Sequence, residues 1–278
     1  MTRSALTPLL AEASAAGRAV AAFNVIQLEH AEAYAAAAER VELPVVMQIS
    51  ENCVRYHGAL APIAAATLAI ADACAQPVVV HLDHAEDVSL VEEAVRLGLT
   101  SVMFDGSTLP DDENRAATRR VVELCRAAGV SVEAELGEVG GKDGVHAPGV
   151  RTDPDDAARF VAETGVDALA VAVGSSHAMV DRTAQLDTDL IAALRRSVPV
   201  PLVLHGSSGV PDDGLVAAVR AGMTKVNIAT HLNQVFTRAM TARLEASPTV
   251  DTRKYLGAAR DAVTDEAARL LALLALNH

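Results

Sequence analysis

Residues 77–84 read PVVVHLDH, an apolar and β-branched run that ends in two histidines and an aspartate. Residues 86–98, EDVSLVEEAVRLG, follow it with apolar positions at helical spacing. A β-branched run of this length predicts a buried strand, and strand–helix units build sheets of the α/β class. The polar cluster stands at the carboxyl end of the predicted strand, where parallel sheets bind their ligands. This stretch therefore predicts one strand–helix unit with a functional end.

The same unit recurs along the whole chain without a linker that divides it. Strand–helix alternation predicts a parallel sheet. Eight units in 278 residues favour a closed (β/α)₈ barrel, which typically needs about 250 residues, over an open sheet. We expect a single TIM-barrel domain over residues 1–278 with a C-terminal helical extension. The predicted strands are 19–25, 44–50, 77–84, 101–105, 131–137, 168–174, 201–206 and 225–229.

Composition narrows the classes of function. The chain has 23 Lys and Arg against 36 Asp and Glu, a formal net charge of −13. Such an acidic protein is a poor partner for nucleic acid or an anionic membrane. Three scattered cysteines exclude a disulfide framework, and residues 1–17 lack the apolar core of a signal peptide. We expect a cytoplasmic protein that binds neither nucleic acid nor membrane.

Histidines at three predicted strand ends suggest a metal. His84 closes the third strand, and His177 and His205 follow the sixth and seventh. Each alone is typical of a satisfied core histidine, but together they form a plausible set for a catalytic zinc with an open fourth position. Beside His84, Asp83 offers a carboxylate for proton transfer or for orienting a ligand.

Two glutamates in the fifth predicted strand need compensation. Period-two alternation turns Glu133 and Glu135 to the same face, where two unpaired carboxylates would be costly. One interpretation is a salt bridge to Lys225 on the eighth strand. The other is one metal ligand and one carboxylate that orients a ligand, with Asp105 near the same metal.

Two small-residue loops predict a phosphate site. Residues 206–209 (GSSG) and 227–230 (NIAT) follow strands seven and eight, the usual phosphate position of such barrels.

Several segments together resemble one enzyme family, the zinc-dependent class II ketose-bisphosphate aldolases, which include fructose- and tagatose-bisphosphate aldolases. The resemblance runs from about residue 5 to 265. The segments that carry it are AFNV, HLDHAEDV, SVMFDGSTLP, VEAELGEVGG, GVDALAVAVGSSH, LHGSSGVP and GMTKVNIAT.

The resemblance implies a fold, a reaction and a metal site. The reaction is reversible cleavage of a ketose 1,6-bisphosphate to dihydroxyacetone phosphate and glyceraldehyde 3-phosphate, through an enediolate that zinc stabilises. His84, His177 and His205 would hold Zn²⁺, and a second or displaced metal position would use Asp105 and Glu135.

The resemblance also implies the acid/base and the phosphate contacts. Asp83 resembles the acid/base at the C4 oxygen. A sodium or potassium ion lies near the phosphate in many members. The family assembles as homodimers or homotetramers, and the arginine that matches Arg253 crosses a two-fold interface. Residues expected to bind substrate or phosphate are Asn24, Ser50, Gly174, Gly206, Ser207, Asn227, Thr230 and Arg253.

Departures from the family pattern leave the substrate open. The loop after the fifth strand usually carries the glutamate that takes the C3 proton. Here residues 141–144 read GKDG, so either Asp143 replaces that glutamate or the glutamate is deleted; we take Asp143 as the second catalytic candidate. His177 is followed by Ala-Met instead of Gly-Tyr. A class II aldolase for a different sugar phosphate is therefore an alternative.

Three other readings are kept. A class I aldolase would form a Schiff base, for which Lys225 is the one candidate on a predicted strand. A metal hydrolase would want an H-x-H pair on the first strand, which instead ends Phe23-Asn24-Val25. A non-catalytic sugar-phosphate binder would not need Asp83.

Overall fold

A computed structural model of the chain describes residues 3–136, 151–176 and 179–277. Within these ranges, eight parallel strands pair in chain order and close into a barrel, which confirms the predicted fold class. The strands are β1 Val20–Asn24, β2 Val45–Ser50, β3 Val78–Ala85, β4 Ser101–Phe104, β5 Ser131–Leu136, β6 Ala168–Val171, β7 Leu202–Leu204 and β8 Met223–Ile228.

Helices surround this barrel and extend it at both ends of the chain. Their apolar faces pack against the outward-facing strand residues in one continuous core. The helices within the described ranges are α1 Leu6–Ala15, α2 Leu28–Val41, α3 Glu51–His57, α4 Ala61–Ala73, α5 Val88–Leu97, α6 Asp111–Ala127, α7 Pro154–Thr164, α8 Thr188–Ser197, α9 Asp212–Ala221, α10 Thr230–Ala246 and α11 Thr252–Leu274.

The barrel interior changes from apolar to polar along its axis. At the amino ends of the strands, Val46 and Val79 point inward, and Leu6 and Leu10 of α1 close this end as an apolar plug. One layer higher, alternation brings polar residues inward, so Gln48 of β2 lies level with His81 of β3. The polar side chains of the barrel interior therefore lie toward the carboxyl ends of the strands.

The C-terminal extension is part of the same body. The helix α11 lies against α2 and α10, and the Ala19 N–H donates to the carbonyl of Leu274 at 3.0 Å. One face of α11 is buried there, including Ala259, Val263, Leu271 and Leu274. No single described helix is long and apolar enough to cross a membrane; α3 and α4 pass that test only jointly, with a bend of 118° between them.

Two strands are shorter than the sequence predicts. We expected strands over 168–174 and 201–206, but β6 ends at Val171 and β7 at Leu204. Gly174 has φ +119° and Gly206 has φ +66°, and these left-handed conformations break the ladder. The residues that follow are released into loops above the barrel.

Candidate active site

A polar pocket of about 170 Å³ opens at the carboxyl ends of the strands. It is the place where a (β/α)₈ barrel carries its active site. Its described lining comes from the ends of β1, β2, β3, β7 and β8: Asn24, Gln48, Ser50, Asn52, Asp83, His84, Gly206, Ser207, Ser208, Asn227, Ala229 and Thr230.

Asp83 is held by one of its two carboxylate oxygens. Its Oδ2 accepts from Asn24 Nδ2 at 3.2 Å and from Gln48 Nε2 at 3.3 Å. Gln48 Nε2 also donates to Asn24 Oδ1 at 2.9 Å, so the three side chains lock one another. Asp83 is buried, and its Oδ1 has no hydrogen-bond partner among the described residues. A buried carboxylate oxygen without a partner implies a ligand, because its desolvation is otherwise uncompensated.

His84 is turned by the backbone. The register of β3 against β4 shifts between Leu82 and Ala85, and His84 has φ +49°, which is uncommon for a residue with a side chain. This kink brings His84 Nδ1 to 2.7 Å from Asp105 Oδ2. Asp105 is fixed in turn, because its Oδ1 accepts from Ser107 Oγ at 2.6 Å. The carboxylate thereby orients the imidazole ring.

A second histidine is oriented by two glutamates. The His205 Nε2 lies 2.9 Å from Glu133 Oε1, and its Nδ1 lies 3.4 Å from Glu135 Oε2. Lys225 Nζ donates to Glu133 Oε2 at 2.9 Å. All four side chains are fully buried. The salt bridge between a strand glutamate and Lys225, one of the two interpretations drawn from the sequence, is present at Glu133.

These residues fit a divalent metal. The rings of His84 and His205 lie with centroids 4.7 Å apart. Ligand atoms of Asp83, His84 and His205 come within 4.8 Å of one another, as do those of His84, Asp105 and Glu135. Imidazole nitrogens with carboxylate oxygens in a buried site are a donor set for zinc. The orphaned Asp83 Oδ1 adds an uncompensated negative charge that a cation would relieve.

His81 shares the barrel interior but not the pocket. Its Nδ1 pairs with Ser101 Oγ at 2.8 Å, and the residue is fully buried. Burial lowers its pKa well below the ordinary value, and the nearby Lys225 charge adds to the effect. His81 is therefore a neutral core residue beneath Asp83.

The opposite wall of the pocket is built from small residues. Gly206 and Ser207 follow β7, and Thr230 begins α10 after β8. Ser208 Oγ accepts from the Ala229 N–H at 3.2 Å and so joins the two loops. Backbone donors and hydroxyls in this position of a barrel suit a phosphate.

Asn227 completes this wall. Asn227 is buried, yet neither Oδ1 nor Nδ2 of its side-chain amide has a hydrogen-bond partner among the described residues. It is aimed into the pocket with donor and acceptor both available.

Other predicted site residues lie elsewhere. Ser50 lines the pocket, but its Oγ accepts from the Cys53 N–H at 3.2 Å. Gly174 does not line the pocket; a side chain there would strike the carbonyl of Gln185. Arg253 is at the start of α11, with its side chain 88% exposed and paired with Asp251. Asp143 and His177 fall outside the described residues.

The residues named individually from the sequence leave out four lining residues: Gln48 and Asn52, together with Ser208 and Ala229, which lie in the predicted phosphate loops 206–209 and 227–230. A signal for Gln48 exists: it stands two residues before Ser50, so period-two alternation turns it to the same face. Asn52 and Ser208 lie in a helix and a loop, where no such period applies.

The comparisons with known proteins agree with this geometry. The model of the family described as fructose-bisphosphate aldolase class-II matches residues 4–277. The chain belongs to this family. The class II aldolase fold also appears in a solved structure, the YdjI aldolase from Escherichia coli K12. That structure matches with a TM-score of 0.88 and 30% identity, covering 99% of this chain and 97% of that one.

Two curated class II relatives differ in their names. A probable fructose-bisphosphate aldolase from Bacillus subtilis (strain 168) is 38% identical over 265 residues, which is 94% of this chain and 93% of the relative. A 6-phospho-5-dehydro-2-deoxy-D-gluconate aldolase from Shouchella clausii (strain KSM-K16) is 42% identical over 228 residues, or 81% and 78%. The family thus makes this chain an aldolase, a carbon–carbon lyase, and leaves its substrate to be proposed.

Proposed function

We propose that the protein catalyses reversible, zinc-dependent aldol cleavage of a ketose phosphate that carries an anionic group at each end. The products are dihydroxyacetone phosphate and an aldehyde. The observation that carries the proposal is that ligand atoms of Asp83, His84 and the buried His205 converge, and that Asp83 and His84 line a pocket that Gly206, Ser207 and Ser208 also line. The histidines and carboxylates suit a metal that activates the substrate carbonyl, and the loop suits the substrate phosphate.

Zinc is the metal that the donor set favours. His84 and His205 would hold it, together with His177, which the family resemblance implies as the third histidine. Asp105 and Glu135 stand beside His84 for a second or displaced position. When bound at these residues, the ion would supply a Lewis acid for the substrate carbonyl.

Asp83 is the residue that moves a proton. Asn24 and Gln48 hold its Oδ2 and leave Oδ1 without a hydrogen-bond partner among the described residues. A carboxylate fixed in this way can accept the proton of the substrate's C4 hydroxyl as the C3–C4 bond breaks, and return it in condensation. Asn227 offers an amide to the oxygens of the same substrate.

The geometry does not favour a Schiff base on Lys225. Its ammonium group is fully buried and donates to Glu133 Oε2, and Lys225 is not among the lining residues of the pocket. A Schiff base needs a neutral amine that reaches the carbonyl carbon.

The two candidate substrates differ in the anionic group at the end away from the dihydroxyacetone phosphate part, which is either a second phosphate or a carboxylate. The names of the two curated relatives describe a fructose bisphosphate and a phosphorylated gluconate, so one has a second phosphate and the other a carboxylate. Both substrates have two anionic ends. A ketose 1,6-bisphosphate, which yields glyceraldehyde 3-phosphate, is the first candidate, and a phosphorylated sugar acid is the second because the gluconate-type relative is 42% identical.

The deciding experiment is an assay of the purified protein, stripped of metal and then supplied with Zn²⁺. Fructose and tagatose 1,6-bisphosphates and 6-phospho-5-dehydro-2-deoxygluconate are the substrates, and dihydroxyacetone phosphate is measured by enzyme-coupled reduction. We expect release of dihydroxyacetone phosphate from at least one of them, only with zinc. Activity that survives a chelator, together with a covalent enzyme–substrate adduct after borohydride reduction, would overturn the proposal and favour a Schiff base on Lys225.

The proposal includes a homodimer or homotetramer. Arg253 lies in the first turn of α11 and the fully exposed Val250 just before it, and a two-fold contact there would cover both. Light scattering of the wild type and of Arg253→Ala measures the mass of the assembly. A wild-type monomer would contradict this part of the proposal alone.

A further inference from the structure

The phosphate wall of the pocket depends on where α10 begins. Thr230 is the first residue of this helix and lines the pocket. The residue before it, Ala229, has no side chain that could cap the helix. Over its seventeen residues, all within the described ranges, α10 fully buries two side chains, Leu232 and Phe236. Packing therefore constrains this helix less than a helix buried along its length, and polar contacts of its first turn gain importance.

His231 makes two such contacts in the first turn. Its backbone N–H donates to Ser208 Oγ at 3.2 Å, and Ser208 lines the pocket. Its ring Nε2 lies 2.7 Å from Glu266 Oε1, which belongs to α11. Both side chains of this pair are mostly buried, at 17% and 18% exposed. His231 therefore joins the phosphate wall on one side to the last helix on the other.

Glu266 is held in place independently of His231. Arg269 donates to both of its carboxylate oxygens, from Nε to Oε2 at 2.8 Å and from Nη2 to Oε1 at 2.7 Å. Burial opposes the negative charge, but the hydrogen bonds from Arg269 and His231 outweigh burial and lower the pKa of Glu266 to about 2. The carboxylate is therefore ionised throughout the neutral range, as a fixed partner for the imidazole ring.

Arg269 is anchored in turn by residues at the loop after β7. Its Nη1 donates to Asp212 Oδ2 at 2.5 Å, and Asp212 Oδ1 accepts from Arg182 Nη2 at 2.6 Å. Arg182 Nε also donates to the carbonyl of Val210 at 2.9 Å, directly after the turn Ser207–Gly209. Side chains of α11, of α9 and of the segment before α8 thus form one chain of ion pairs that connects the loops after β8 and β7.

We propose that Glu266 is a positioning residue for the substrate phosphate. Through His231 it holds the first turn of α10 against Ser208, so that backbone N–H groups of this turn can bind the phosphate. The inference rests on the proposed aldolase function, which assigns the phosphate to the loops after β7 and β8. It adds a residue of the last helix, which does not line the pocket, to the groups that determine phosphate affinity.

The test compares two zinc ligands that differ only in a phosphate. Glycolohydroxamate and its phosphate ester, phosphoglycolohydroxamate, can both chelate zinc in the loaded enzyme through the hydroxamate, and only the ester can contact the phosphate wall. Their dissociation constants are measured by titration calorimetry. The ratio of the two constants separates the phosphate contribution from any change at the metal.

The variants are Glu266→Ala, His231→Ala, the double variant of both and Glu266→Gln. Asp265→Ala is the matched control, because Asp265 is the neighbouring acid of α11 and pairs at 2.6 Å with Arg40 of α2 instead of with α10. Zinc content and Tm of every variant show whether it is folded and loaded.

We expect Glu266→Ala to weaken the binding of phosphoglycolohydroxamate by about 3- to 30-fold, the range of a helix N-terminal contact with an anion. Glycolohydroxamate should bind within about 2-fold of the wild type, because it makes no contact with this wall. Glu266→Gln should keep part of the affinity, since its amide oxygen still accepts from His231. The double variant should lose no more than the weaker single variant, because both changes remove the same contact. Asp265→Ala should match the wild type.

Other outcomes overturn the inference in distinguishable ways. Equal losses for the two hydroxamates would show that Glu266 only stabilises the fold around the site. Losses that multiply in the double variant would show that Glu266 does not act through His231. An unchanged ratio in Glu266→Ala would show that the first turn of α10 binds phosphate without this residue. A wild type that binds neither compound with zinc, and cleaves no sugar phosphate, would contradict the aldolase function itself.

Discussion

The two carboxylate oxygens of Asp83 differ in their hydrogen bonds, and this difference suits the residue to proton transfer. Two amides donate to Oδ2, whereas Oδ1 has no hydrogen-bond partner among the described residues, and Asp83 lines the pocket. We expect Asp83→Asn to keep the fold and the metal, since an amide is nearly isosteric. Cleavage should fall by about 10²- to 10⁴-fold, the range of a lost general acid/base. Steady-state assays and zinc content of the purified variant measure both.

A matched variant separates proton transfer from metal binding. His84→Ala removes the imidazole beside Asp83 and should lower the zinc content, whereas Asp83→Asn should not. Loss of zinc in Asp83→Asn would instead show that the carboxylate mainly serves the metal.

His30 of α2 makes the stability of the fold depend on acidity. Burial lowers its pKa from 6.5 to about 4, because the charged ring would be desolvated. Its Nδ1 accepts from the Ile26 N–H at 3.3 Å, and the ring packs against Phe236. The unfolded chain binds the proton more strongly, so stability from this group is present above pH 6.5 and is lost as the pH falls toward 4. The loss amounts to about 3 kcal/mol at pH 4.

The variant His30→Gln keeps an acceptor for Ile26 and cannot titrate. Urea unfolding at pH 7 and pH 4.5 should show a smaller acid-induced loss in this variant than in the wild type. The exposed His57, whose ring contacts the Ile26 carbonyl at 2.7 Å, offers the control His57→Gln. Equal acid losses in wild type and His30→Gln would contradict the assignment.

Gly206, in the loop after β7, is required both by its left-handed backbone conformation and by the close approach of the Ser176 backbone. Gly206 has φ +66°, and a Cβ there would lie 2.5 Å from the Ser176 carbonyl carbon. Gly17 has a similar φ, +64°, but a Cβ there would meet nothing within 4 Å. Left-handed strain alone costs about 1 kcal/mol. We expect Gly17→Ala to lose about that much, and Gly206→Ala to lose more.

Crowding at Gly206 should also reach the chemistry. The Ser176 backbone leads directly to His177, and Gly206 lines the pocket. We therefore expect Gly206→Ala, but not Gly17→Ala, to raise the KM for substrate and to weaken zinc binding. Thermal unfolding and substrate titrations of the two variants make the comparison. Equal stability and equal KM in the Gly206→Ala and Gly17→Ala variants would show that the loop after β6 accommodates the added Cβ without loss of free energy.

The strand ends also show what a linear pattern cannot specify. The sequence predicts that Asp83 and His84 end β3, because hydrophobicity stops there. The register shift and the left-handed φ that turn His84 toward Asp105 depend on pairing with β4, a neighbour across the sheet. Local periodicity contains no information on that pairing. The contact of Glu133 with both His205 and Lys225 likewise depends on three strands at once.

At the scale of the whole molecule, prediction succeeded where one physical signal repeats. Eight apolar runs, each followed by an amphipathic helix, predict a closed barrel, and β1 to β8 confirm it. Polar residues at those ends predict one active face. Asn52 was missed because it lies inside α3, where the pattern of polar strand ends does not apply. Only the folded barrel brings these residues into one pocket with Asp83.

The stability of the whole barrel should be linked to metal, because the site collects more buried carboxylates than cations. Asp83, Asp105 and Glu135 face His84 and His205, while Lys225 compensates Glu133. A ligand that binds only the folded state at 100 times its Kd adds about 2.7 kcal/mol. For a domain of this size that raises Tm by about 5 °C. We expect this shift when Zn²⁺ is added to chelator-stripped protein, a smaller one with Mg²⁺, which prefers oxygen ligands, and none with Zn²⁺ in His84→Ala. A Tm that ignores zinc, or that rises equally in His84→Ala, would show that these histidines hold the fold by hydrogen bonds to Asp105 and Glu133 and not a metal.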